Sequence, residues 1–133
     1  MTSAYYLRYG VWNVPPIPVE DIDFSSGFPM LIIAECRIVS VHEGRLITTN
    51  DNEPVAKRIR AAYGENLIFP DNGVFKFDIQ SCTILNSRYE PVHDAQLQEG
   101  NSIKLKYMPC VRKLQTGDER VDFVVFDILN LER

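Results

Sequence analysis

Five runs of β-branched and aromatic residues, each bounded by glycine, proline or polar turn residues, constrain the fold of this chain more than any other feature of its sequence. The strongest is residues 30–41, which is rich in isoleucine and valine and lies between Pro29 and Gly44. Such residues favour strands, and glycine and proline mark strand ends. The predicted strands are residues 30–41, 45–49, 74–85, 102–108 and 121–129.

Local patterns predict how the first strands are built. Gly44 can adopt a positive φ in a tight turn, so residues 30–41 and 45–49 are expected to form a β-hairpin. Phe75, Phe77 and Ile79 alternate with polar residues, which is typical of a half-buried strand. We expect this third strand to run over residues 74–85, with a bulge near Ser81 and Cys82.

The last two strands follow the same logic. Residues 102–108 alternate, with Lys104 and Lys106 on the outward face, and Pro109 is expected to interrupt the ladder. A turn at residues 116–118 leads into residues 121–129, which are apolar on both faces. This last strand is therefore expected to be covered on each side.

One segment has the periodicity of a helix. Apolar residues within 53–63 recur at the spacing of a single helical face. Pro54 suits the first turn, Asp51 or Asn52 can cap the N-terminus, and Gly64 stands where a left-handed residue often ends a helix. The sequence predicts one short helix here.

The 133 residues suffice for one core, and 45% apolar and 24% charged residues are typical of a globular domain. Residues 1–29 differ: Pro15, Pro16 and Pro18 favour an extended conformation. We therefore expect an N-terminal arm over residues 1–29 and a five-stranded, OB-like antiparallel β-barrel over residues 30–133. The expected core includes Ile32, Ile38, Phe77, Ile79, Leu105 and Phe123.

No motif indicates catalysis, a metal or a cofactor. Cys36, Cys82 and Cys110 are odd in number and far apart, which fits neither a disulfide framework nor a zinc site. His42 and His93 belong to no metal-binding spacing, and no activated nucleophile or phosphate-binding glycine loop is present. We expect reduced structural thiols and a protein that is not an enzyme.

The expected location is the cytoplasm, or the host cytoplasm if the protein is viral. The longest apolar run, residues 28–34, falls well short of the roughly 20 residues that span a bilayer. The N-terminus has no basic segment followed by an apolar one, so a secretion signal is not expected.

Basic residues are segregated although the net charge is −4. Residues 104–113 contain four cations and no acidic residue, and Arg37 or Lys76 on a neighbouring strand could extend the row into a groove. Aromatic side chains beside such a groove could stack on bases, whereas Tyr107 is expected to face the core. The candidate nucleic-acid-binding residues are Arg37, Lys76, Lys104, Lys106, Arg112, Lys113 and Trp12.

The C-terminal half carries a family resemblance. Segments 75–78, 89–92, 99–105 and 121–127 follow one another as a strand, a loop, a glycine turn entering a lysine-bearing strand, and a final apolar strand. This succession, over residues 65–133, resembles the OB-fold single-stranded-DNA-binding proteins of tailed phages. The resemblance implies a sequence-tolerant single-stranded nucleic-acid-binding module in phage or viral replication.

An alternative function is a protein-interaction or inhibitor module, such as a viral accessory or assembly protein. The net negative charge and the proline-rich and aromatic residues 1–29 favour it, because an extended arm can dock on a partner or add a strand to it. The sequence leaves open whether DNA or RNA is bound and whether the chain forms a homo-oligomer.

Overall fold

The first two strands of the computed structural model, which describes residues 32–78, 80–92 and 97–132, form the predicted hairpin. Strand β1 (Ile32–His42) pairs antiparallel with β2 (Arg45–Thr48). Gly44 has φ of 70° in the turn between them. A side chain disfavours that backbone conformation, so the glycine fixes the position of the turn and with it the hairpin register.

Helix α1 (Glu53–Tyr63) confirms the predicted helix and lies between β2 and β3. Of the two expected capping residues, Asp51 is the one that contacts the first turn: the backbone N–H of Glu53 donates to Asp51 Oδ1 at 3.1 Å, whereas the side chain of Asn52 does not cap. Gly64 ends the helix with φ and ψ both at 142°, so the expected left-handed cap is wrong.

The single strand predicted over residues 74–85 is wrong. The structure has two short strands, β3 (Val74–Lys76) and β4 (Thr83–Leu85). Asp78 separates them, because its backbone oxygen accepts from the N–H groups of Ser81 and Cys82 at 3.0 and 2.7 Å. Its carboxylate also accepts from the N–H of Gln80 at 2.9 Å, the local turn that aspartate favours.

Strands β5 (Ser102–Lys113) and β6 (Glu119–Asn130) form a long antiparallel hairpin. The turn at residues 116–118 is confirmed. Pro109 does not interrupt the ladder, contrary to expectation, and instead pairs with Phe123. Among the described residues β1 accompanies β5 only as far as Tyr107, so Pro109 lies where β5 has one strand neighbour, a position that tolerates a missing N–H.

The strands close into a hydrogen-bonded ring. Their order is β3-β2-β1-β5-β6-β4, and an additional parallel pairing of β3 with β6 completes a ring of five strands, with β4 parallel to β6 outside it. For the described residues, the predicted mainly β, OB-like architecture with one helix is confirmed. Five predicted core residues are buried, and these are Ile32, Ile38, Phe77, Leu105 and Phe123.

Several sequence-based expectations lie outside the described residues. They concern the arm over residues 1–29 with Trp12, the core position Ile79, and His93. All three cysteines are free thiols, with Cys36 and Cys82 buried.

A tight contact at Gly73 gives a prediction about stability. Gly73 has φ of 79°, and a Cβ there would overlap the backbone oxygen of Thr48. Thr48 also donates to the Gly73 oxygen from its N–H at 2.8 Å and from its hydroxyl at 3.0 Å, so the two segments cannot separate freely. We expect Gly73→Ala to lower the free energy of unfolding by about 2–3 kcal/mol, from backbone strain and overlap together.

The control for Gly73→Ala is Gly117→Ala, measured by the same urea titration. Gly117 also has a positive φ, of 92°, but an added Cβ would meet no heavy atom within 4 Å. Only backbone strain remains there, so a loss of about 1 kcal/mol is expected. Equal losses for the two variants would contradict the importance of the contact with Thr48.

Candidate nucleic-acid interface

The strand register aligns outward side chains across four strands. Arg45 on β2 is paired with Lys76 on β3, and Lys76 is paired with Val124 on β6. Val124 is in turn paired with Met108 on β5. Because directly paired residues point to the same side of a sheet, these four side chains form one row on the outer face.

A second set of residues continues this face toward the β5–β6 turn. Arg120 and Asp122 lie on the same side of β6 as Val124, since alternate residues of a strand share a face. Their partners on β5 are Arg112 and Cys110. The hairpin therefore carries two arginines, a carboxylate and a thiol beside the row that contains Arg45 and Lys76.

The charged residues of these two sets border one groove, which we call the basic groove. Strands β3 and β6 share a single pairing, so they leave an opening of about 320 Å³ between them. Four cationic and two acidic side chains line it, an excess of two positive charges in a chain of net charge −4. The lining residues are Glu43, Gly44, Arg45, Pro70, Val74, Phe75, Lys76, Arg112, Arg120, Asp122 and Phe123.

Asp122 lies between the two arginines of the groove. Its Oδ1 is 3.1 Å from Arg120 Nε, and its Oδ2 is 3.8 Å from Arg112 Nη2. The carboxylate side chain is 12% exposed, whereas those of Arg120 and Arg112 are 43% and 56% exposed. Both arginines therefore remain accessible from solvent while their carboxylate partner is nearly covered.

The pKa of the Cys110 thiol depends on two charged residues of the groove. Burial raises the pKa of Cys110, the nearby Asp122 carboxylate raises it further, and the Lys76 ammonium lowers it. Lys76 and Asp122 therefore both act on this thiol, which lies beside the groove. At neutral pH the thiol is protonated and adds no charge.

The floor of the groove is aromatic but covered. Phe75 and Phe123 are 0% and 1% exposed, and both rings contact Tyr107 edge-on, with centroid distances of 4.9 and 5.7 Å. Tyr107 is buried in the core as expected, and burial raises its pKa above the ordinary value. The exposed aromatic residues of the described ranges, Tyr63 and Tyr89, do not line the groove.

The structure brings together only part of the predicted site. Lys76 and Arg112 line the basic groove, and Lys113 follows at the exposed end of β5. Arg37 is exposed but paired with Ser102, outside the groove. Lys104 is half-buried and paired with Glu35, so a carboxylate faces it on the neighbouring strand.

The expected exposure of Lys106 is wrong, although the strand face on which it lies was predicted correctly. The strand alternation places it outward with Lys104, yet it is 1% exposed. Its partner across the β5–β6 ladder is Asp127, which is also 1% exposed, and a β-bulge follows at this position. A lysine can be buried when an opposite charge compensates it.

Two groove residues, Arg45 and Arg120, were not predicted from the sequence. Arg45 directly follows the Gly44 turn, and Arg120 lies opposite Arg112 across the β5–β6 turn. The turn predicted at residues 116–118 would have placed Arg120 beside Arg112 on the neighbouring strand. The approach of Arg45 to this hairpin depends on the ring closure between β3 and β6.

No protein-family model and no curated protein matches the sequence. Solved structures do match the fold. The single-stranded DNA-binding protein from bacteriophage Enc34 aligns with a TM-score of 0.54 at 10% sequence identity, over 79% of this chain and 81% of that chain. The two chains share a fold. The resemblance to phage single-stranded-DNA-binding proteins is thus confirmed for the fold.

A second solved structure is gp2.5, a single-stranded DNA-binding protein encoded by bacteriophage T7. It aligns with a TM-score of 0.47 at 13% identity, over 77% of this chain and 86% of that chain.

In the described residues no group of three histidine, cysteine or acidic side chains could hold a metal ion. No helix there is long and apolar enough to cross a membrane.

Proposed function

We propose that this protein binds single-stranded nucleic acid through the basic groove, with little base preference, in the replication of a phage or viral genome. The observation that carries the proposal is the convergence of Arg45, Lys76, Arg112 and Arg120 from four strands on one groove of an acidic chain. Arginine and lysine bind phosphates irrespective of base identity.

The fold supports the same function. In OB-folds, the face of strands 2 and 3 and the two flanking hairpin loops bind oligonucleotides. The basic groove lies at β2 and β3 and is flanked by the β1–β2 turn and the β5–β6 hairpin. Its location therefore matches that binding face, and the bacteriophage Enc34 protein of similar fold is named for single-stranded DNA binding.

The chemistry of the groove favours backbone contacts over base stacking. Its described aromatic rings are covered, so phosphate contacts with the exposed Arg45 and Lys76 would provide the affinity. Trp12 stays a predicted stacking residue.

The proposal is tested by titrating labelled single-stranded DNA and RNA oligonucleotides across a salt series. If four cations each neutralise one phosphate, the logarithm of the binding constant should fall against the logarithm of salt with a slope of about −3. The slope should depend little on base composition. Absence of salt-sensitive binding at low ionic strength would reject the proposal and favour the protein-interaction alternative.

A pair of variants localises the site. Lys76→Gln removes one groove cation, and we expect about tenfold weaker binding, the value of one charge-assisted contact. The salt slope should become shallower by about 0.7. Lys104→Gln makes the same charge change outside the groove, where Glu35 faces the lysine, and should change affinity less than twofold. Equal effects would place the site elsewhere.

A further inference from the structure

We propose that the Asp122 carboxylate competes with the phosphates of the nucleic acid for Arg112 and Arg120. In the free protein this carboxylate forms ion pairs with Arg112 and Arg120, and a bound nucleic-acid strand replaces it at both arginines. This inference rests on the proposed function, because it assigns a role to one residue within the same groove.

The geometry of the ion pairs supports the competition. The carboxylate contacts both guanidinium groups, at 3.1 Å on Arg120 and at 3.8 Å on Arg112. Each arginine keeps roughly half of its side chain exposed and has five N–H donors, more than one carboxylate can engage. A phosphate can therefore approach each arginine from the solvent side before the contact with Asp122 is lost.

The local charge explains why the competition would matter. Arg45 and Lys76 are exposed at the other side of the groove, and no ion pair is found for either within the described part of the chain. Asp122 neutralises about half of the charge of the arginine pair. A nucleic-acid strand that contacts all four cations gains enough binding free energy to displace this carboxylate. A single phosphate group contacts only one part of the groove and does not.

The consequence is selectivity for a polyanion over small phosphates. Asp122 lowers the affinity for every anion at Arg112 and Arg120 by a similar amount. An oligonucleotide still binds despite that loss, because it also contacts Arg45 and Lys76. Inorganic phosphate has no second contact and is excluded at ordinary concentrations.

The test is a cycle of variants measured with one labelled single-stranded DNA oligonucleotide at fixed salt. Asp122→Asn keeps the size of the side chain and removes its charge. We expect binding to become about two- to fivefold tighter, the value of an exposed ion pair that no longer competes. The salt slope should also become steeper, because more phosphates are neutralised by the protein.

The cycle separates competition from general repulsion. Asp122→Asn is repeated in the Arg112→Gln/Arg120→Gln background, where the gain should vanish because no arginine remains to be released. Glu43→Gln removes the other carboxylate of the groove and Glu90→Gln removes one outside it, and the gain should be smaller for both. Thermal unfolding of each variant checks that it is folded.

Every outcome is informative about Asp122. Weaker binding by Asp122→Asn would show that the carboxylate positions the arginines for nucleic acid, and an unchanged affinity would show that it does not compete; either overturns the inference. A gain that persists without the arginines also overturns it. Failure of the unmodified protein to bind any oligonucleotide would instead reject the proposed function.

Inorganic phosphate as competitor should displace the oligonucleotide from Asp122→Asn at lower concentration than from the unmodified protein.

Discussion

Reversing two charges of the basic groove is expected to abolish nucleic-acid binding at ordinary salt. In the double variant Arg45→Glu/Lys76→Glu, two exposed cations from paired positions of β2 and β3 become carboxylates. Two lost charge-assisted contacts, at about 1.5 kcal/mol or more each, weaken binding by at least about 100-fold. Repulsion between the new carboxylates and phosphates adds to this loss. Fluorescence anisotropy with a labelled oligonucleotide measures the change.

The matched control is Arg37→Glu/Lys57→Glu, which changes the net charge by the same amount. Both residues are exposed, and neither lines the groove. Long-range electrostatics alone would weaken both variants equally, most clearly at low salt. We expect less than fivefold weakening for the control, within the range of exposed charge pairs. Comparable losses for the two doubles would mean that the groove is not the binding site.

Removing the buried charge of Lys106 is expected to have the largest effect on stability. Lys106 and Asp127 are paired across β5 and β6, and both are 1% exposed. Lys106→Met leaves a carboxylate in a covered position without the cation opposite it. Leaving a buried charge without a compensating opposite charge typically costs about 3–5 kcal/mol. Urea titration followed by circular dichroism measures this loss.

Two comparisons make this stability prediction specific. Lys113→Met alters the same residue type at the exposed end of β5 and should change the free energy of unfolding by less than about 0.5 kcal/mol. The double variant Lys106→Met/Asp127→Leu replaces both charges by apolar groups and should recover much of the stability lost in Lys106→Met. A Lys106→Met protein within 1 kcal/mol of the unmodified one would contradict the prediction; if it does not fold, Asp127→Asn gives the milder test.

Lys106 also shows where sequence periodicity stops being informative. Alternation correctly placed Lys104 and Lys106 outward, because the period of a strand is local. Exposure is not local, since it depends on what lies over the sheet at each position. The sequence pattern therefore identified the face of Lys106 but not its burial, and the same reasoning made it a candidate for phosphate binding.

Local signals also account for the elements that were predicted correctly. The β1–β2 hairpin follows from a glycine between two β-branched runs, and helix α1 follows from the apolar spacing of residues 53–63. Both depend on residues that are neighbours along the chain. Where a local signal was overlooked, the prediction failed: Asp78 forms the turn that divides residues 74–85 into two strands.

The sequence by itself determined that the described part of the chain is mainly β with one helix, which residues of the strands point inward, and that several strands carry basic residues. Only the tertiary structure decided which cations share a groove. Arg45 and Lys76 meet Arg112 and Arg120 because β3 pairs with β6, a contact between strands far apart in the sequence. Such a pairing leaves no periodic signature, because it is selected by closure of the whole ring and not by the spacing within any one strand.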